Sequence, residues 1–96
     1  MTRWFVYIIE CRDGSLYTGI AVDVQKRFQQ HIAGKGARYT RSHPPLRLLG
    51  NLQLPDRSQA SRAEHAIKRL SPARKRALCD AWTTGSGGTA SPAAPG

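Results

Sequence analysis

Apolar and polar positions change their period several times along this chain, and each change marks a structural element. Residues 4–11, Trp4-Phe5-Val6-Tyr7-Ile8-Ile9-Glu10-Cys11, form an aromatic and β-branched run that is too short for a buried helix. The Arg12-Asp13-Gly14 turn signal closes it, so the run predicts a strand, and residues 16–21 predict its hairpin partner. Turn length sets the register. A two-residue Asp13-Gly14 loop would send Tyr7 and Tyr17 to opposite faces of the sheet. A three-residue loop with Gly14 in the left-handed conformation pairs Cys11 with Ser15 and Ile9 with Tyr17, and both tyrosines then share a face. The second register is the one expected.

Helical periodicity follows. Asp23 predicts an N-cap for a helix to about His31, with Val24, Phe28 and Ile32 as its buried stripe and Arg27 and His31 as a neighbouring i, i+4 row. Gly34-Lys35-Gly36 ends that helix and opens a basic loop through Arg38, Tyr39, Arg41 and His43, closed by Pro44-Pro45. Leu46 to Leu54 alternates imperfectly and predicts a third strand, with Gly50-Asn51 as a bulge or turn. Asp56 or Ser58 caps a helix to about Leu70 with the stripe Ala63, Ile67 and Leu70. Glu64 lies about 60° from Ile67 on that helix, at the border of the packed face. Ser71-Pro72 starts a last helix to about Trp82, in which Ala73, Ala77, Leu78 and Trp82 pack while Arg74, Lys75 and Arg76 face water. The expected fold is α+β, a small three-stranded antiparallel sheet flanked by helices in the order β-β-α-β-α-α.

Composition adds three constraints. The chain of 96 residues supports one domain, read as residues 1–82, followed by a flexible Gly/Ser/Ala/Pro-rich tail at 83–96 that carries no charge. The net charge of +9 therefore belongs to the folded part and points to a polyanionic partner. Two distant cysteines, no secretory signal and no apolar run of about 20 residues predict a cytoplasmic protein that does not enter a membrane. Cys11, Cys79, His31, His43 and His65 contain no close ligand pair, which argues against a zinc site.

Tyr7, Tyr17, Gly19, Arg27, His31 and Glu64 are the residues a functional reading must explain. With Val6-Tyr7-Ile8 and Tyr17-Thr18-Gly19 as its two triplets, the chain resembles the GIY-YIG nuclease superfamily, in its small stand-alone YhbQ-like branch. The Lys26-Arg27-Phe28 helix, His31, the Gly34 to Thr40 loop and the Ser61 to Leu70 helix carrying Glu64 extend the resemblance over about residues 3–80. It implies a metal-dependent endonuclease or exonuclease that hydrolyses phosphodiester bonds in DNA. Tyr7, or else Tyr17, would activate water, and Arg27 would steady phosphoryl charge. His31 would hold a proton or orient substrate, and Glu64 would bind Mg²⁺ or Mn²⁺. Lys35, Arg38, Arg41, Arg62, Lys68 and Arg69 would grip phosphates. The partner would be DNA, including branched, nicked or single-stranded forms, with RNA left open, and the chain would act as a monomer.

The chain departs from the family pattern in four places. Val6 stands for glycine and Thr18 for isoleucine in the triplets, Ile20 stands where several catalytic members have lysine, and Arg76 stands where some have asparagine. Taken singly, the tyrosines also fit ordinary half-buried strand positions, and Glu64 with Lys68 fits an i, i+4 ion pair. Two further functions remain open at this stage: a nucleic-acid-binding module of the same fold without catalysis, and a basic domain that docks on an acidic protein.

Overall fold

The computed structural model describes residues 3–84. Strand β1 (Trp4–Cys11) is the middle of a three-stranded antiparallel sheet, with β2 (Leu16–Ala21) on one side and β3 (Pro45–Leu54) on the other. The hairpin register follows the three-residue turn. Ile9 faces Tyr17 and Tyr7 faces Gly19, the Cys11 N–H donates to the Ser15 carbonyl at 2.8 Å, and Gly14 takes φ of 88°. β3 is longer than β1 requires. Ile8 faces Gly50 while Ile9 faces Leu48, and Glu10 faces Arg47 while Cys11 faces Pro45, so Leu49 and Leu46 are the extra residues of two bulges. The bulge therefore lies beside Gly50, where the Gly-Asn dipeptide placed it.

Each face of the sheet buries its own apolar cluster. On one face Val6, Ile8 and Leu16 pack with Ile67 and Cys79, joined by Ile20, Ala63, Leu78 and Trp82. Ile20 belongs to β2, and the other contacts to the strands come from α3 (Arg57–Lys68) and α4 (Pro72–Thr84). On the other face Tyr7, Ile9 and Cys11 pack with Val24, Phe28 and Tyr17 under α1 (Val24–Ile32). Asp23 caps α1 by accepting from the Lys26 N–H at 3.0 Å, and Asp56 caps α3 in the same way from Gln59 at 2.9 Å.

The structure corrects several expectations. Ile32 does not continue the α1 stripe; it is 52% exposed, whereas His31 is buried. At 100° per residue, position i+7 returns to within about 20° of Val24 while i+8 overshoots by about 80°. The basic loop contains a five-residue helix, α2 (Arg38–Ser42), so the order is ββααβαα. Helix α3 stops at Lys68, short of Leu70. On α4, Ala73 and Ala77 are exposed, Lys75 is buried, and Arg76 reaches the Glu10 carboxylate at 3.0 Å. Arg76 thus ties α4 to β1, because Glu10 offers a fixed acceptor that also pairs with Arg47. Helix α4 runs two residues into the segment expected as a tail, and the remainder of that tail, 85–96, lies outside the described residues.

Candidate active site

The site is built from the β1–β2 hairpin outward. Because side chains alternate across a strand, the register that pairs Tyr7 with Gly19 sets Tyr7 and Tyr17 on the face covered by α1. Their ring centroids are 6.4 Å apart. Gly19 keeps the space between them: a Cβ there would stand 2.5 Å from the Tyr7 hydroxyl and 3.0 Å from the Tyr17 ring.

His31 closes the cluster from α1. Its Nε2 lies 2.9 Å from the Tyr7 hydroxyl and its Nδ1 lies 2.6 Å from Thr40 Oγ1. Thr40 Oγ1 donates its one proton to the Ala37 carbonyl at 2.9 Å, so it accepts from His31 Nδ1–H. Nε2 is then the bare nitrogen and accepts from the Tyr7 O–H. The result is a directional relay, Tyr7 to His31 to Thr40 to the backbone, in which Tyr7, His31 and Thr40 are all 2% exposed or less. Burial, helped by the neighbouring Tyr17, pushes the Tyr7 hydroxyl up to about 12 against the pull of Arg27. Burial and then the Arg27 charge push His31 down to about 4. Both groups are neutral at pH 7.

The loop after α1 gives His31 its seat. Gly34, at φ of 80°, ends the helix with its N–H on the His31 carbonyl at 3.1 Å, and the Lys35 N–H reaches the Gln30 carbonyl at 2.9 Å. That double bond is a Schellman turn. It swings the chain back so that Gly36 lies flat against the imidazole, where any Cβ would overlap Nδ1. Thr40 and Gly36 are the site residues that reasoning from sequence left unassigned. A glycine pair just past a histidine-bearing helix end, with a threonine nine residues after that histidine, is the pattern that could have marked them.

Arg27 and Glu64 bring opposite charges. Arg27, half-buried, donates to Gln30 Oε1 at 2.9 Å, and its charge lowers the pKa of Tyr7, Tyr17 and His31 alike. Glu64 arrives on α3, whose helix packs against both β1 and β2. Its carboxylate opposes ionisation of both tyrosines, so its field reaches the cluster. Tyr17, less buried than Tyr7, is also raised, first by burial. The structure therefore brings Tyr7, Tyr17 and His31 into contact, with Arg27 beside them on α1, while the Glu64 charge reaches the tyrosines from α3.

Of the cations expected to hold phosphates, Lys35, Arg38, Arg41, Arg62, Lys68 and Arg69 are all exposed. Arg62, Lys68 and Arg69, with His65 and Ala66, line a shallow concavity on α3. Lys68 also pairs with Glu64 at 3.3 Å, the i, i+4 bridge foreseen as the plainer role for that carboxylate. Arg76, the residue expected to stand where some members carry asparagine, points to Glu10 and to the Gly14 carbonyl.

Among the described residues no cluster of three or more His, Cys, Asp or Glu forms a cage for a metal ion. One partly exposed carboxylate suits a small hard cation such as Mg²⁺, which keeps several waters and takes its remaining ligands from substrate phosphate. The donor set fits Mg²⁺ or Mn²⁺ held by Glu64 on those terms. No helix among the described residues is long and apolar enough to cross a membrane.

The GIY-YIG catalytic domain matches residues 3–77. A UPF0213 protein of Cupriavidus pinatubonensis is 56% identical over 77 residues, which cover 80% of this chain and 86% of that protein. The UPF0213 protein YhbQ of Escherichia coli is 46% identical over 78 residues, 81% of this chain and 78% of its own. The solution structure of the UPF0213 protein BH0048 from Bacillus halodurans superposes with a TM-score of 0.51 at 44% identity, covering 81% of this chain and 83% of that one.

Proposed function

The chain belongs to the GIY-YIG catalytic domain family, in its UPF0213 branch, and from that premise we propose that it is a metal-dependent nuclease that hydrolyses phosphodiester bonds in DNA. The observation that carries the reading is the buried Tyr7–His31–Thr40 relay set beside Arg27 and within the field of Glu64. A purely structural tyrosine has no need of a histidine held in one tautomer behind it.

The proposed chemistry uses each group where it stands. As water attacks phosphorus, its proton passes to the Tyr7 oxygen while the Tyr7 proton passes to His31 Nε2, 2.9 Å away. Thr40 keeps the imidazole aimed during that transfer by accepting from Nδ1. Arg27 binds phosphoryl oxygens, offering two parallel donors to the charge that grows there. Glu64 would hold Mg²⁺ or Mn²⁺ together with waters and phosphate oxygens, releasing Lys68 from its bridge. That ion supplies charge neutralisation on the leaving oxygen. The surface cations Lys35, Arg38, Arg41, Arg62, Lys68 and Arg69 hold the strand through phosphates, so binding weakens as salt rises. A second arrangement is favoured by exposure: Tyr17 is the tyrosine nearer solvent, and it takes the water's proton while Tyr7 and His31 position it.

The test is a cleavage assay on supercoiled, linear and branched DNA with Mg²⁺ or Mn²⁺. The expected result is cutting by wild type that falls by about 10²–10³-fold in Arg27→Ala and Glu64→Ala, with unchanged thermal midpoints. Wild-type protein that binds DNA but cuts none of these substrates, with binding unaltered in Glu64→Ala, leaves only the binding-module function. Tyr7→Phe against Tyr17→Phe decides which tyrosine meets the water.

A further inference from the structure

Lys75 is a buried cation to which the proposed chemistry gives no task. It is 9% exposed and has no ion-pair partner among the described residues, whereas its neighbour Arg76 shares Glu10 with Arg47. The fold turns it inward. Lys75 and Cys79 are i, i+4 neighbours on α4, and Cys79 packs into the core against Gly50, so the Lys75 stem follows the same stripe. Arg76 fixes that rotation of the helix by holding Glu10 and the Gly14 carbonyl. Only residues 69–71 separate α3 from α4, which sets Lys75 near Lys68 across the turn. Burial first, and then the Lys68 charge, push the Lys75 pKa down, so both neighbours of its ammonium oppose its charge.

Two ammonium groups near one another, one of them buried, are a poor choice for packing alone. An apolar side chain of the same length would remove both the desolvation cost and the repulsion. The arrangement becomes favourable when an anion joins the pair, and its position says which anion. Lys68 lies 3.3 Å from Glu64, and its charge favours the ionised form of Tyr17, so the two lysines adjoin the catalytic cluster. We propose that Lys75, together with Lys68, binds a phosphate oxygen of the DNA backbone at that cluster and is a further residue of the active site. Its buried stem is already held in one path, so less side-chain entropy is lost on contact than for exposed Lys35 or Arg38. The inference rests on the nuclease reading for which phosphate is held, but the contact itself is measurable by binding alone.

The experiment is equilibrium binding of a labelled DNA oligonucleotide by fluorescence anisotropy, without divalent cations, at several salt concentrations. In Lys75→Met, which keeps the stem and removes the charge, the slope of log affinity against log salt is expected to fall by about one. The thermal midpoint should hold or rise, since the substitution takes away a buried charge. In Mg²⁺ or Mn²⁺, cleavage by the variant should fall by about 10²-fold. A second measurement uses wild type, in which the Hε and Cε NMR resonances of Lys75 should shift as the oligonucleotide is added. An unchanged salt slope in Lys75→Met, or Lys75 resonances that stay in place at saturating oligonucleotide, overturns the proposal. The two readings fail separately. A reduced slope with no cleavage by wild type removes the nuclease and leaves the phosphate contact. Glu64-dependent cleavage that proceeds at the wild-type rate in Lys75→Met, with an unchanged slope, removes the contact and leaves the nuclease.

Discussion

The two faces of the sheet are built from alternate residues of the same strands, yet they bury opposite chemistry. Under α3 and α4 lie Val6, Ile8, Leu16, Ile67 and Cys79, a dry face in which the Cys79 thiol is pushed up to about 12 by burial. Under α1 lie Tyr7 and His31, equally inaccessible but joined by hydrogen bonds that run to Thr40 and the backbone. One face stores stability as excluded apolar area, and the other spends some of it to keep two polar rings neutral and aligned. In a domain this small a second apolar face would have been more stable. A buried polar relay stands in its place, and the proposed nuclease chemistry is what would use it.

Four measurements can break or sharpen that contrast. The largest effect is expected at Tyr7→Phe, where loss of the proton path lowers cleavage by about 10²–10⁴-fold. Its thermal stability should fall only modestly, by about 1–3 kcal/mol, because His31 Nε2 loses its donor. On the opposite face, Ile67→Ala should cost about 2–5 kcal/mol by leaving a cavity, with the cleavage rate unchanged below its melting temperature. A rate that falls with Ile67→Ala would show that the faces are not independent.

Acid separates them next. The folded His31 pKa of about 4 lies below the ordinary 6.5, so the unfolded chain binds a proton in this window and the native chain does not. Stability contributed by the neutral imidazole is therefore complete above about pH 6.5 and is lost progressively as pH falls towards about 4, by on the order of 3 kcal/mol. Urea unfolding across that range should show the slope in wild type and not in His31→Gln. Asp13 and Glu10, held below the usual carboxylate range by hydrogen bonds to Ser15 and to Arg47, lose their partners only at lower pH. The smallest effect is a gain. Thr18 Oγ1 is buried on the dry face without a hydrogen-bond partner among the described residues, so Thr18→Val should stabilise by about 1 kcal/mol, read as a rise of roughly 4–8 °C in Tm.

The hairpin and the caps are legible in the sequence because each depends on residues a few positions apart, whereas Tyr7 and His31 stand 24 positions apart and are linked only through the family resemblance. Gly14 specifies its own turn, and Asp23 and Asp56 each accept from a backbone N–H three residues on. What is not legible depends on partners that local pattern cannot reveal. Helix α2 has an alanine N-cap with no side-chain hydrogen bond, so nothing announces its start. Arg76 reads as a wet-face residue until Glu10, 66 positions away, comes beside it. His31 and Ile32 trade places because the true helical period drifts off an i, i+4, i+8 count, and the polar residue, not the apolar one, turns inward. Glu64 at the border of the packed face was readable from the helical wheel alone, and its side chain is 19% exposed.

The central position of β1 has one more consequence, for the order in which the protein can be made. Val6, Tyr7, Ile8 and Ile9, none more than 1% exposed in the native fold, leave the ribosome well before β3, and β1 gains its second neighbour only when β3 has emerged at Leu54. Until then the most apolar strand of the chain offers an open edge and an uncovered face, the state in which strands pair with those of other molecules. The early hairpin with β2 closes one edge quickly, since its pairs are near in sequence. Synthesis of residues 22–54 is thus a window of aggregation risk that ends with the arrival of β3.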